Sequence, residues 1–533
     1  MNDPAPGATG VDERRGVFTG LIDLAARRLG GMVLSADDEF FAAKENLLDP
    51  IDPRFDADAY GDRGKVMDGW ETRRRRDLPG VDRCVIRLGV PGVVDAVVVD
   101  TAFFRGNFPD AFELEGCVSE GGPPPEDVWW LSLVGRTSLR GDALQRFEVD
   151  QPRRATHVRF SIVPDGGVAR LRILGRGLPD LHRAADGDGR LDLAAAVNGG
   201  RAVACSDEFF SSPHNLVMVG DARSMADGWE TRRRRGPGED RAVLELATTG
   251  TVERLEVDTT HFKGNYPDRI VIEATHQPEA SPRDLLGAAA EWVTILPETL
   301  LQPHLRHVFD VEEPVEATHL RLRVLPDGGV ARLRAFGVVS EAGWRRHGLA
   351  VLDVAADALA VAALLTCCGS TRWARELAAR RPFGSAERLL RDADEVFAGL
   401  DDDDLLEAFS AHPRIGERVA ASAETEAAGH TRWSAGEQSG TATAEEDTLA
   451  ALTEGNRAYE ERFGHVFLIR AAGRSAEEML AALRERLDND DAAELQVAAE
   501  QQRQITVLRL DKLLREPRPA TTLTTTDRPG SRP

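Results

Sequence analysis

Apolar and polar residues alternate in short stretches through roughly the first 340 positions, and from there to about position 516 apolar residues recur every third or fourth place. Two kinds of structure therefore follow one another along the chain. In "THVRFSIVPDGGVARLRILG", Thr156 to Gly175, alternation puts Val158, Phe160 and Ile162 on one face of a strand and Arg159 and Ser161 on the other. Asp165-Gly166-Gly167 then offers the positive-φ residues of a tight hairpin, after which Val168, Arg170 and Arg172 alternate with Ala169, Leu171 and Ile173. "DAVVVDTAFF" and "RLEVDTTHF" read as short strands running into Gly-Asn loops. Many short strands with regular turn signals predict an antiparallel sandwich or jelly roll.

The β pattern occurs twice. Asp68-Gly-Trp-Glu-Thr returns as Asp227-Gly-Trp-Glu-Thr, and each copy is followed by four arginines. Asp100-Thr-Ala-Phe-Phe-Arg-Gly-Asn-Phe-Pro-Asp returns at Asp258, and Pro164-Asp-Gly-Gly-Val-Ala-Arg-Leu-Arg at Pro326. Colinear matches about 160 residues apart mark an internal duplication. Beyond Gly343 the helical spacing takes over, with Ser385 and the run Asp401 to Asp404 suited to helix N-termini and Ser475 to Glu478 forming a capping box. "DAAELQVAAEQQRQITVLRLDKLLRE" predicts one further long helix, and the segment from Pro517 to Pro533 has no packable pattern and is expected to be disordered.

The duplicated motifs carry the candidate chemistry. A pair of guanidinium groups beside an indole can cradle a small carboxylate through parallel hydrogen bonds, which singles out Arg73 beside Trp70 and Arg232 beside Trp229; a solvated charge run is the plainer reading. Glu39 and Glu208 can bind amide-type NH2 groups or act as acid or base, or be polar residues beside core phenylalanines. Asn107 and Asn265 sit in loops where asparagine serves as turn former or ligand. His214 and His261 occur only in the second copy and lack metal-ligand spacing. In the helical part, His412 ends a helix ahead of Pro413, Ser434 and Glu437 have the spacing of a helix start, and an aromatic–apolar strip closes at Ile469.

Composition narrows the function classes. A formal net charge of −23 sets up no field that attracts polyanions, so a nucleic-acid partner is not expected. Five cysteines without a C-x-x-C pair fit a reducing compartment, and no signal peptide or apolar run of about 18 residues is present, so a cytoplasmic protein with no membrane partner is expected.

Residues 17 to 340 resemble the allantoicase family through "GLIDLAARRLGG", "SADDEFF", "DGWETRRRR", "DTAFFRGN" and "PDGGVARLR". The resemblance implies two all-β, galactose-binding-like jelly rolls, 17–178 and 190–340, and hydrolysis of allantoate to (S)-ureidoglycolate and urea. Allantoate has one carboxylate and two ureido arms; cleaving a C–N bond at its central carbon needs an acid for the departing urea and a base for water. Glu71 and Glu230 are the candidate acid–base residues, with Glu39, Asp68, Trp70, Arg73, Asn107, Glu208, Asp227, Trp229, Arg232 and Asn265 as candidate substrate contacts. The sequence does not decide which repeat is catalytic or whether a divalent ion assists.

Residues 350 to 516 resemble OHCU (2-oxo-4-hydroxy-4-carboxy-5-ureidoimidazoline) decarboxylase, an all-α family whose reaction yields (S)-allantoin and CO2. By that resemblance His412 is catalytic, with Glu437 orienting the substrate. Pro413, Ser434, Ala435, Gly436, Gln438, His465, Val466, Phe467, Leu468 and Ile469 bind it, and Arg509 holds its polar edge. His465-Val466-Phe467 stands where the family has Phe-Pro-Phe. The substrate's own imine accepts the electron pair, so no cofactor is expected for this step. Together the resemblances imply a bifunctional enzyme of ureide breakdown, acting on small ureides and expected to be a homo-oligomer. The rival from another class is a carbohydrate-binding pair of jelly rolls with a non-catalytic helical domain.

Overall fold

The computed structural model describes residues 20–77, 79–119, 122–185, 187–287, 289–414, 446–471 and 474–516, and the chain divides after Gly343 into two compact units. The first unit holds two β-sandwiches of matching topology. Each is organised by a strand of 19 residues, Asp82–Asp100 and Asp240–Asp258, longer than the short strands expected from the sequence. The strand serves both layers. Its first half, Asp82 to Arg87, pairs with Met32–Ala36 on one side and Arg154–Val163 on the other, and its second half pairs with Leu144–Glu148 and Arg170–Gly177. The second repeat reproduces this around Asp240–Asp258 with Arg201–Cys205, Glu316–Leu325, Arg306–Asp310 and Arg332–Val339. Alternation explains the core: Val158, Phe160, Ile162, Leu171 and Ile173 are all fully buried.

The hairpin expected at Asp165-Gly166-Gly167 does not form. Arg154–Val163 and Arg170–Gly177 pair with opposite halves of the long strand, so the intervening segment crosses from one sheet to the other. On the way Gly167–Val168 pairs with Trp70–Glu71, and in the second repeat Gly329–Val330 pairs with Trp229–Glu230. The glycines are needed for different reasons. Gly166 has φ +138°, whereas a Cβ on Gly167 would lie 2.0 Å from the Phe104 ring. A Cβ on Gly69 would meet the Val168 carbonyl at 2.5 Å, which explains the glycine of each Asp-Gly-Trp-Glu motif.

The second unit is helical. Ser385 caps Ala386–Phe397, Asp401 and Asp404 form a capping box on Asp402–Ser410, and Ser475 and Glu478 form another on Ala476–Arg486. The last helix, Asp491–Arg515, packs Ala498, Leu510, Leu513 and Leu514 into a core with Trp373, Phe383 and Phe409. A smaller core gathers Tyr459, Phe467, Ile469 and Met479. Among the described residues no helix is long and apolar enough to cross a membrane.

Candidate functional site

Pairing with the sheet crossover holds Glu71 and Glu230 in place, and each glutamate meets the asparagine of its repeat's Gly-Asn loop. Asn107 Nδ2 donates to Glu71 Oε1 at 2.6 Å, and Asn265 Nδ2 donates to Glu230 Oε1 at 2.6 Å. Phe41 and Ala42 run alongside Glu71, their amides donating to its carbonyl. Only 9% of Glu71 is exposed, while Glu230 is half-buried. Burial raises the Glu71 carboxyl above its ordinary value, and the hydrogen bond from Asn107 opposes the rise.

The rest of each motif is committed to the protein itself. Trp70 and Trp229 are fully buried, their indole nitrogens donating to the Asp38 and Asp207 carbonyls at 2.8 Å, so neither indole lines an open pocket. Arg73 pairs with Asp38 at 2.7 Å and lies over the Phe40 ring, and Arg232 pairs with Asp207 at 2.6 Å and lies over Phe209. The expected paired-guanidinium cradle is therefore not preformed: Arg75 and Arg234 turn to Asp82 and Asp240, while Arg74 and Arg76 are exposed. Glu39 is exposed and pairs with Lys44 at 3.2 Å, and Glu208 is likewise exposed.

Asp68 and Asp227 anchor buried arginines. Arg170 bonds the Asp68 carboxylate at 2.9 Å and also the carbonyls of Ile51, Asp68 and Ala169. Burial pushes the Asp68 carboxyl up, but the hydrogen bonds from Arg170 and the Arg54 amide outweigh it and leave it below the usual carboxylate range. Arg332 plays the same part for Asp227, and here the first repeat contributes: Arg28 crosses from it to pair with the Asp227 carboxylate. The sequence reading missed Arg28, Arg170 and Arg332. The last two stood in the quoted Val-Ala-Arg-Leu-Arg repeats, and the return of an arginine at the same place in a largely apolar strand of both copies was the available signal.

Repeat-specific loops shape the surroundings. The first repeat has a longer segment between Leu48 and Asp68, folded into the hairpin Tyr60–Gly61 and Gly64–Lys65, and its Arg63 lies over the face of Phe40. A cavity of about 490 Å³ lined by Arg54, Phe55, Val66 and Asp68 opens beside it.

In the helical unit His412 lies just after Asp402–Ser410, buried, its amide donating to the Phe409 carbonyl at 3.1 Å; Pro413 behind it is half-buried. The Phe409 ring sits 5.1 Å from His465, and Tyr459 meets His465 edge-on at 5.4 Å and Phe467 edge-on at 5.2 Å, so the predicted His465 and Phe467 share one aromatic cluster. Phe467, Leu468 and Ile469 are core residues and Val466 packs against the core, which leaves mainly backbone and His465 to face a ligand. Arg509 is fully buried on the last helix, in the field of Cys368, whose thiol burial pushes up to about 11. Ser434, Ala435, Gly436, Glu437 and Gln438 lie outside the described residues. Sequence reading also missed a buried network in which Glu494 accepts from Arg486, Tyr459 and Asn489 and ties the strip to the last helix.

Comparison with known proteins matches the two repeats and the helical unit separately. The allantoicase repeat model matches residues 22–178 and 191–340, and the OHCU decarboxylase model matches 354–511. A probable allantoicase of Nocardia farcinica is 47% identical over 327 residues, 60% of this chain and 95% of the relative. A probable allantoicase of Burkholderia pseudomallei is 46% identical over 318 residues, covering 59% and 94%. The crystal structure of allantoicase from Saccharomyces cerevisiae superposes with a TM-score of 0.51 at 33% identity, covering 60% of this chain and 93% of that one. The duplicated sandwiches place this chain in the allantoicase family, and a C-terminal OHCU decarboxylase domain follows them.

Proposed function

We propose that the chain is a bifunctional enzyme of purine-derived ureide breakdown. Its first unit hydrolyses allantoate to (S)-ureidoglycolate and urea, and its second decarboxylates OHCU to (S)-allantoin and CO2. The observation that carries the hydrolase reading is the glutamate–asparagine pair built identically in both repeats, with Glu71 the more deeply buried. A carboxyl raised by burial keeps its proton to higher pH and can deliver it to the departing ureido nitrogen. The C–N electron pair leaves with urea, the remaining ureido nitrogen supports the electron-poor carbon, and water adds there, losing a proton to the glutamate. Glu71 is assigned as the acid, and Glu230 as a second-copy group of smaller effect. The loops that differ between repeats supply Arg63 and Lys65 only to the first.

For the decarboxylase, the buried His412 at its helix end, His465 in ring contact with Phe409, and Arg509 buried on the last helix support this reading, in which no cofactor takes part. The carboxylate leaves as CO2, its electron pair enters the adjacent imine, and His412 returns a proton to one face. A cytoplasmic homo-oligomer acting on small ureides fits this reading.

The test supplies purified full-length protein with allantoate and, separately, with freshly generated OHCU. Urea release and allantoin of a single hand, formed faster than spontaneous decay, are expected. Racemic allantoin at the spontaneous rate would overturn the decarboxylase assignment, and absence of urea would overturn the hydrolase assignment.

A further inference from the structure

Between Leu48 and Asp68 the first repeat has 19 residues where the second has 9 between Val217 and Asp227, so it carries a ten-residue insertion. Three contacts pin that insertion, and each falls on a stretch of chain that builds the Glu71–Asn107 pair. The Arg54 amide donates to Asp68 Oδ2 at 2.9 Å, three residues before Glu71. The Phe55 ring stacks on Phe103, four residues before Asn107, at 5.4 Å. Arg63 Nη1 donates to the Phe40 carbonyl at 2.8 Å, and the next residue, Phe41, donates its amide to the Glu71 carbonyl. Beside the shorter loop of the second repeat lies instead a charged cavity of about 200 Å³ among Asp221, Asp258, Arg306 and Arg332.

Arg63 is the cation that the insertion sets against the segment flanking Glu71. Its guanidinium lies 5.1 Å from the centre of the Phe40 ring, and Arg73 lies 5.3 Å from the same ring. Arg73 is neutralised by Asp38, whereas among the described residues no carboxylate pairs with Arg63, its chain neighbour Asp62 included. Arg63 is exposed, so a solute reaches it without displacing protein. Fixed at one nitrogen and across its face, the fork has little freedom left to lose on taking up an anion, and its remaining N–H groups can donate. The fold does not require it: the second repeat keeps Arg232 paired with Asp207 over Phe209 and has no residue in the place of Arg63.

We propose that Arg63 binds the substrate carboxylate in the first repeat and makes that copy selective for an anionic diureide over a neutral one. The carboxylate of allantoate sits on the carbon that carries both ureido arms. A cation held on the segment beside Glu71 therefore takes the carboxylate while the glutamate meets a ureido nitrogen. The second repeat, without the insertion, lacks this anion contact. The assignment rests on the hydrolase reading above.

The probes are N-carbamoylglycine, which has a carboxylate and one ureido arm, and its neutral amide, each titrated calorimetrically into the full-length protein. The acid is expected to bind more tightly than the amide. Arg63→Met is expected to weaken the acid about tenfold or more and the amide by less than about twofold, and to raise the KM for allantoate about tenfold or more with kcat within about threefold. Arg63→Lys, which keeps the charge without the fork, is expected to fall between. Equal losses for acid and amide, unchanged acid binding and KM in Arg63→Met, or no acid binding at about 10 mM would each overturn the proposal. If the protein releases no urea from allantoate while Arg63→Met still abolishes the preference for the acid, the hydrolase reading fails and the anion contact stands. If urea release persists and that preference survives Arg63→Met, the anion contact fails and the hydrolase reading stands.

Discussion

The two repeats share a motif and a fold but differ in what surrounds each copy. Glu71 and Glu230 both accept a 2.6 Å hydrogen bond from asparagine, yet the first lies in the more desolvated setting, beside a hairpin that brings Arg63 over the neighbouring Phe40. Asp68 relies on Arg170 as its ion-pair partner, whereas Asp227 is met by Arg28, Arg223 and Arg332. Duplication thus preserved the positioning of the acid while the loops and the outward sheet face diverged. The first copy holds the more deeply buried glutamate, and the second a charged cavity.

The largest effect that would sharpen this contrast is on stability. Arg170→Met strips partners from three carbonyls and leaves Asp68 without its ion pair, an expected loss of about 3–5 kcal/mol. Arg332→Met is expected to cost about 1–2 kcal/mol less, because Arg28 and Arg223 still face Asp227. Urea unfolding of both variants decides it; equal losses would remove the distinction between the two anchors. Next come Gly69→Ala and Gly228→Ala. Their Cβ atoms would meet the Val168 and Val330 carbonyls at 2.5 and 2.8 Å, for an expected overpacking cost of about 1–3 kcal/mol, larger at Gly69.

The pH dependence separates the repeats further. The Glu71 pKa is raised in the folded state, so its contribution to stability is present below the ordinary glutamate range and lost as pH rises through the raised value. As a proton donor it also sets an alkaline fall in kcat/KM. Asn107→Ala removes the interaction that lowers this pKa and is expected to move the fall to higher pH, whereas Asn265→Ala leaves its position unchanged. Asp227 has the opposite sign: its pKa is lowered, so its contribution is present above the ordinary aspartate range and lost as pH falls through the depressed value. The smallest expected effect belongs to Arg73→Ala. That side chain is 65% exposed, and its loss should cost about 0–1 kcal/mol by thermal unfolding.

Much of this architecture was legible in the sequence, and the exceptions have physical causes. Period-two and helical spacing, the capping residues and the internal matches located the sandwiches and helices, because each is a local property of the chain. The hairpin reading of Asp165-Gly166-Gly167 failed because a turn signal does not reveal which strands flank it; both neighbours pair with a strand some 60 to 90 residues earlier in the chain. Glu71 and Asn107 stood out as candidates, but their meeting depends on a sheet crossover that no local pattern encodes. The arginine run misled for the same reason. Asp38, Asp82, Asp207 and Asp240, which take up its charges, are themselves ordinary in sequence. Arg28 reaching into the other repeat is a tertiary event with no local signature.

The central claim is that one copy of the duplicated glutamate carries the hydrolysis. Urea release from saturating allantoate, compared between Glu71→Gln and Glu230→Gln with matched melting temperatures, tests it most directly. The account predicts a loss in kcat of about 100-fold or more for Glu71→Gln and of less than about tenfold for Glu230→Gln; equal losses, or a greater loss for Glu230→Gln, would contradict it.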